Sequence, residues 1–200
     1  RSEAVPKAGG RTLEATPDTL AALVPTLLPG DTLQLRGGLY RPSALRVGVS
    51  GTLDNYITLE SYPGEEPVLT GDIGQALSWT QYAGPVWSAP LAVGVVDNVW
   101  DGDHFLWKND TVGKLDTAEN GGFCHLPGQQ TLYIRLVDEG DPNTREIHVS
   151  TSPSALRVTG SYLEIRGLSF KWVSRAFVLT GQWCVIDGCR ATPVHFLVRT

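Results

Sequence analysis

An all-β fold is what this sequence predicts: a right-handed parallel β-helix with an N-terminal helical cap and an inserted antiparallel β module. Three observations predict it. First, the end of the chain repeats. Ala155-Leu-Arg-Val-Thr-Gly160 returns 21 residues later as Ala176-Phe-Val-Leu-Thr-Gly181, and Tyr162-Leu-Glu-Ile-Arg-Gly-Leu-Ser-Phe170 lines up with Trp183-Cys-Val-Ile-Asp-Gly-Cys-Arg-Ala191. A third copy starts at His195-Phe-Leu-Val-Arg-Thr200. Second, each unit reads as short strand, glycine corner, short strand. A unit of about 20 residues cannot bury its apolar face alone and must stack on its neighbours. Third, 22 glycines and 13 prolines in 200 residues suit a turn-rich β protein.

The elements follow in order. Thr16-Pro17-Asp18 is a helix start, with a capping hydroxyl, proline at the first helical position and an acid opposing the dipole. Leu20, Leu23, Val24, Leu27 and Leu28 continue at helical spacing until Pro25 ends or kinks the helix near Val24. This segment is read as the lid of the first coil. Pro29-Gly30 is a turn, and Leu33, Leu35 and Leu39 alternate as a strand does. Ser50-Gly51-Thr52 is a loop, Tyr56-Ile-Thr-Leu-Glu-Ser-Tyr62 a second strand, and Val68-Leu-Thr-Gly71 closes a coil.

These opening residues, PGDTLQLRGGLY, then SGT, then YITLESYPGEEPVLTG, resemble the N-terminal cap and first coils of the pectin-lyase-like parallel β-helix proteins. The resemblance covers residues 12–72 and resumes at 154–200. It is similar to the start of alginate lyases and of chondroitinase B. It implies a bacterial carbohydrate-active protein, secreted, periplasmic or on the cell surface, with a polysaccharide as partner. Residues 73–150 depart from that pattern, because the period disappears there. Val93–Trp100 and Thr131–Leu136 read as strands, Gly121-Gly122 and Gly140-Asp-Pro142 as turns. Three segments result: a cap with first coils at 1–72, an inserted β-rich module at 73–150 and further coils at 151–200.

In the repeat, Leu163, Ile165, Leu168 and Phe170 alternate with polar residues, and the same slots one coil later hold Cys184, Ile186, Cys189 and Ala191. Both cysteines are therefore expected to be buried, reduced hydrophobes beside Leu163 and Leu168 rather than a disulfide or metal pair. A net charge of −5 and the lack of a basic run argue against nucleic acid. No apolar run reaches membrane length. The chain has no methionine. It reads as a processed protein, a fragment or part of a longer chain, with removal of a secretory signal one simple explanation. The last unit breaks off early, so further coils or a second chain are expected to cover that end.

Candidate chemistry follows from what polysaccharides need. Sugar faces are apolar and their edges rich in hydroxyls, so aromatic platforms beside polar groups suit them. Trp79, Trp87, Trp100 and Trp107 are assigned to the core of the insertion. Trp172, in the corner Lys171-Trp-Val-Ser-Arg175, is the expected substrate platform. β-Elimination beside a uronate needs a cation and a base, and Lys171, Arg175 and His195 are the candidates, with solvated surface charge as the alternative. Hydrolysis needs two carboxylates, and Glu164 and Asp187 are offset by 23 rather than 21 residues, so they do not stack. No cofactor is identified. Calcium is the one metal whose oxygen chemistry is on offer, from Asp97, Asp101, Asp103 and Asp110. Asp101-Gly102-Asp103 reads rather as a hairpin turn. The function expected is a polysaccharide lyase or glycoside hydrolase, with a non-catalytic carbohydrate-binding, adhesin or assembly subunit as the alternative.

Overall fold

The computed structural model describes residues 9–41 and 45–192, and the backbone of the strand Val194–Arg199. The chain divides into two compact units. One is drawn from residues up to Thr70, from Ser154–Lys171 and from Arg175 onward; the other from Gly71–Pro153 and Trp172–Ser174.

The first unit is built of short parallel strands in three sheets. The largest holds Thr12–Ala15, Thr32–Leu35, Ile57–Ser61, Leu163–Arg166 and Val185–Asp187, in that order. A second orders Gly38–Tyr40, Pro67–Thr70, Ser169–Lys171 and Arg190–Ala191. A third orders Leu45–Val47, Ser154–Val158, Val173–Leu179 and Val194–Arg199. Registers put like on like. Leu33 faces Leu59, Leu59 faces Ile165, and Ile165 faces Ile186. Leu69 lies beside Phe170, and Val158 beside Val47 and Leu179. Most of these inward side chains are fully buried. Each contributes roughly 1.5–3 kcal/mol by leaving water, which is why the alternating pattern sets the register. The 21-residue offset of the repeat is the observed one: Ser154 pairs with Arg175, Glu164 with Val185 and Ser169 with Arg190.

The second unit is a seven-stranded sheet. Its order is Ile147–Ser150, Asn98–Asp101, His104–Lys108, Gly122–Leu126, Thr131–Arg135, Val86–Pro90 and Thr80–Ala83. Neighbours run antiparallel except His104–Lys108 and Gly122–Leu126, which pair in parallel through Trp107–Gly122 and Lys108–Phe123. Val99, Leu106, Phe123, Leu132, Ile134 and Val149 form its core with Trp79.

Three expectations are corrected. The fold is all-β, but it is not one parallel β-helix carrying an antiparallel insertion. The parallel strands lie in three separate sheets, and a mixed sheet with a core of its own takes up the middle of the chain. The physical reason is that the 21-residue period governs only the last part of the chain; residues 73–150 follow hairpin turns instead. The helical cap shrinks to one turn of α-helix, Leu20–Leu23, followed by a 3-10 turn, Val24–Thr26. Pro17 lies outside it, in a turn closed by Thr19 N–H to Thr16 O, and Pro25 removes the donor that would extend it. Cys184 and Cys189 are free thiols but half-buried, because Val185–Asp187 is an edge strand of its sheet.

Candidate functional site

In the second unit one strand sorts its side chains onto two faces. Leu106 of His104–Lys108 points into the core, opposite Val99, and is fully buried. Alternation therefore sends Phe105 and Trp107 to the other face. There Phe105 packs edge-on against both Trp100 (centroids 5.7 Å) and Trp107 (5.4 Å). Trp100 is cross-strand partner to Phe105 and also to His148, whose imidazole lies 3.6 Å from the Trp172 ring, 17° from parallel. An aromatic row, Trp172–His148–Trp100–Phe105–Trp107, so crosses one face of the sheet. Trp100 in its middle is 1% exposed, and Trp107 at its end is 54% exposed.

Trp107 forms one wall of an open cavity of about 310 Å³, completed by Asn109 and by Thr117, Glu119 and Asn120. That volume lies at the small end of ligand pockets, and an aromatic side chain together with a few amide, hydroxyl and carboxylate groups is a usual composition for their lining. The far wall is held from beneath. Leu115 is buried under the 3-10 turn Val112–Thr117, and the buried Arg135 guanidinium donates to Leu115 O (3.1 Å) and Asp116 O (2.6 Å) and pairs with Glu139 (2.6 Å). Gly121 closes the loop at φ +73, where a Cβ would stand 2.7 Å from Leu106. The Asn109 amide donates to Trp107 O, which leaves its carbonyl directed elsewhere.

At the other end of the row is a pair with no local sequence signal. His148 Nδ1 lies 3.4 Å from Asp72 Oδ2, and His148 Nε2 is buried with no partner among the described residues. Burial pushes the Asp72 carboxyl up, but the hydrogen bond from His148 and the backbone N–H groups of Gly74 and Val149 outweigh it, and its pKa lies below the ordinary value. The Trp172 indole N–H donates to Gly102 O at 3.1 Å.

The residues singled out from sequence fall as follows. Trp172 is half-buried, one ring face against His148 and its N–H engaged, in a left-handed backbone conformation (φ 50). Lys171 ends the strand Ser169–Lys171 beside Thr70, and Arg175 lies in Val173–Leu179 beside Ser154. The side chain of His195 lies outside the described residues. Glu164 is paired with Arg166, and Asp187 sits two residues along the register, beside Arg166 rather than beside Glu164. Of the aspartates weighed for calcium, Asp101 pairs with Arg145 (3.6 Å) and Asp110 with Lys114 (3.0 Å). Among the described residues no group of three or more His, Cys, Asp or Glu converges as a metal site would require. Asp101 and His104 flank a two-residue hairpin turn with Gly102 at φ +56. Among the described residues, too, no helix is long and apolar enough to cross a membrane.

Trp107 is the residue the sequence reading misplaced. Trp79 and Trp100 are buried as expected and Trp87 packs on the core, but Trp107 stands in solvent. The alternation around Leu106 was the signal that could have separated it from the other three.

No protein-family model matches the chain, and no curated protein matches it in sequence. Solved structures do match. A structure of XylC in complex with xylose superposes with a TM-score of 0.66 at 14% identity, over 88% of this chain and 41% of that one. A glycoside hydrolase superposes with a TM-score of 0.58 at 11% identity, over 82% and 51%. An alginate lyase from Paenibacillus sp. str. FPU-7 aligns at 18% identity over 90% and 36%, with a TM-score of 0.46. The chain spans between 36% and 51% of the length of these proteins, and at such identities the likeness is one of fold.

Proposed function

We propose that this chain is part of a carbohydrate-active protein and that the Trp107 pocket holds a sugar unit of its substrate. The observation that carries the reading is the pocket itself: an exposed indole lining one open cavity together with Asn109, Glu119 and Asn120. An indole face packs on the C–H face of a pyranose, while amide and carboxylate groups bind the ring hydroxyls. The structural likeness to XylC with xylose and to a glycoside hydrolase supports the same ligand class.

The fuller form of the proposal is a polysaccharide lyase or glycoside hydrolase acting outside the cytoplasm, akin to the carbohydrate-active proteins that the opening motif resembles. One observation favours the alternative, binding without bond cleavage, at this pocket. Its lining supplies a single carboxylate, Glu119, whereas hydrolysis needs two, and it holds no Lys or Arg to stabilise an eliminating uronate. At the Trp107 pocket itself the chemistry is therefore recognition: stacking, hydrogen bonding and exclusion of water from one sugar face.

The test is a titration of the 200-residue chain with neutral xylo- and cello-oligosaccharides and with oligo-uronates, followed by indole fluorescence, with product formation assayed in parallel. Saturable binding that Trp107→Ala weakens at least tenfold supports the reading. Absence of binding to every sugar class contradicts it.

A further inference from the structure

The first unit carries a second aromatic arrangement, unrelated to the pocket. Tyr56 and Tyr162 directly precede the paired residues Ile57 and Leu163, and continuing the register of Glu164 with Val185 brings Trp183 beside Tyr162. Three successive rungs thus present an aromatic ring at one position. Tyr56 meets Tyr162 edge-on at 5.6 Å, and the Tyr162 and Trp183 rings are within 13° of parallel, with centroids 6.4 Å apart. The two tyrosines are half-buried, and Trp183 is 64% exposed among the described residues.

The backbone beneath is tightly specified. Tyr162 (φ 56) and Trp183 (φ 57) both adopt the left-handed region that bulky residues avoid, at equivalent places in consecutive rungs. Gly160 and Gly181 precede them, each packed so closely that a Cβ would lie 1.7 Å from the carbonyl oxygen of the rung before, Val49 O and Gly160 O respectively. Polar groups line up alongside. The Ser50 hydroxyl accepts from Ser161 N–H, and the Ser161 hydroxyl accepts from Gln182 N–H, both at 3.0 Å. Each hydroxyl keeps its own proton to donate, and Gln182 is exposed.

We propose that Tyr56, Tyr162 and Trp183, with Ser161 and Gln182, form a docking surface for an uncharged polysaccharide chain running along the stack of rungs. The proposal rests on the carbohydrate reading above. Rings repeating along the stack match a polymer of repeating rings, each with an apolar face and a hydroxyl edge. The ladder residues carry no charge, which fits a neutral glycan rather than a uronate polymer or a nucleic acid. The left-handed backbone at Tyr162 and Trp183 sets both residues at equivalent places before any ligand arrives, so little backbone ordering entropy is lost on binding.

The test is affinity electrophoresis of the whole chain in gels containing soluble xylan, hydroxyethyl cellulose or alginate, with wild type, Trp183→Ala, Tyr162→Ala and Trp107→Ala. We expect wild type to be retarded by a neutral polymer, and Trp183→Ala to bind it at least fivefold more weakly while its melting midpoint and its affinity for short oligosaccharides stay unchanged. Tyr162→Phe, which keeps the ring, should bind as wild type even if Tyr162→Ala fails to fold. Retardation of Trp183→Ala equal to wild type overturns the ladder, and so does retardation by alginate alone or by no polymer. If the ladder variants bind normally and only Trp107→Ala is impaired, the ladder fails and the pocket stands. If short sugars do not bind but polymer retention depends on Trp183, the pocket fails and the ladder stands.

Discussion

The two units solve the same problem, burying short strands, by different rules. In the first, a strand finds its partner one rung away: Glu164 beside Val185, Ser154 beside Arg175. Like residues stack in columns, and glycine corners let backbones approach closely. In the second, partners come from turns and from alternation. The hairpin at Gly102 pairs Asn98–Asp101 with His104–Lys108, and Leu106 and Trp107 separate to opposite faces of one strand. The contrast teaches where binding groups can be placed. A rung must repeat its inward residues, so its variable chemistry is confined to corners such as Ser161-Tyr162 and Gln182-Trp183. The mixed sheet sets an aromatic row, ending in the pocket-lining Trp107, on the face of His104–Lys108 opposite Leu106.

The largest expected effects come from the two cores. Phe123→Ala in the mixed sheet, where Phe123 is fully buried, should cost about 3–5 kcal/mol, and Leu163→Ala among the rungs about 2–5 kcal/mol. Denaturant midpoints with unchanged m-values would show it. A cost under about 1 kcal/mol at either site would mean that core is looser than its burial indicates. Next comes close approach, a feature of the rungs alone. Gly160→Ala places a Cβ against Val49 O, whereas Gly128→Ala in the mixed unit meets nothing within 4 Å. We expect about 1–3 kcal/mol for the first and under about 0.5 kcal/mol for the second, read as melting shifts.

A smaller effect concerns the start of the first unit. Asp31 is buried, accepting from the Arg11 side chain, at 2.5 Å from Nη2, and from the backbone N–H groups of Leu28 and Arg11. The Arg11 hydrogen bond is the main reason its carboxyl is held at about 2 instead of 3.8. A folded pKa below the unfolded one stabilises the protein above the unfolded value, and that stabilisation is lost as pH falls through the folded value. Asp31 should therefore contribute about 1–2 kcal/mol at neutral pH, discounted because Arg11 is half-exposed. The contribution should disappear between 3.8 and about 2. Comparing wild type with Asp31→Asn across that window checks it: the stability gap should close as pH falls, and a pH-independent gap would assign the effect to packing instead.

Much of the first unit was legible in the sequence, because self-similarity reports stacking directly: the offset between Ala155 and Ala176 is the offset between paired strands. What the repeat could not report was its extent. The offsets from Thr12 to Thr32 to Thr58 are irregular, and the middle of the chain has a core of its own. The helical cap was over-read, since Pro17 and Pro25 sit on either side of a single turn. The candidate sites were less legible. Asp72 and His148 meet from 76 residues apart, with no local pattern to announce them. Trp107 was hidden by its three neighbours in composition, although the alternation around Leu106 marks it as outward. Tyr162 over Trp183 was visible in the repeat alignment, but there it served to establish register and not to describe a surface.

The most direct test of the account is the Trp107 pocket, where function and folding separate. Trp107 is half-exposed and packs edge-on against Phe105, so Trp107→Ala should cost about 1–2 kcal/mol of unfolding free energy and leave the fold intact. Its affinity for a neutral oligosaccharide, measured by calorimetric titration beside wild type, should fall at least tenfold, a change of about 1.4 kcal/mol. Equal affinities in two fully folded proteins would contradict the account.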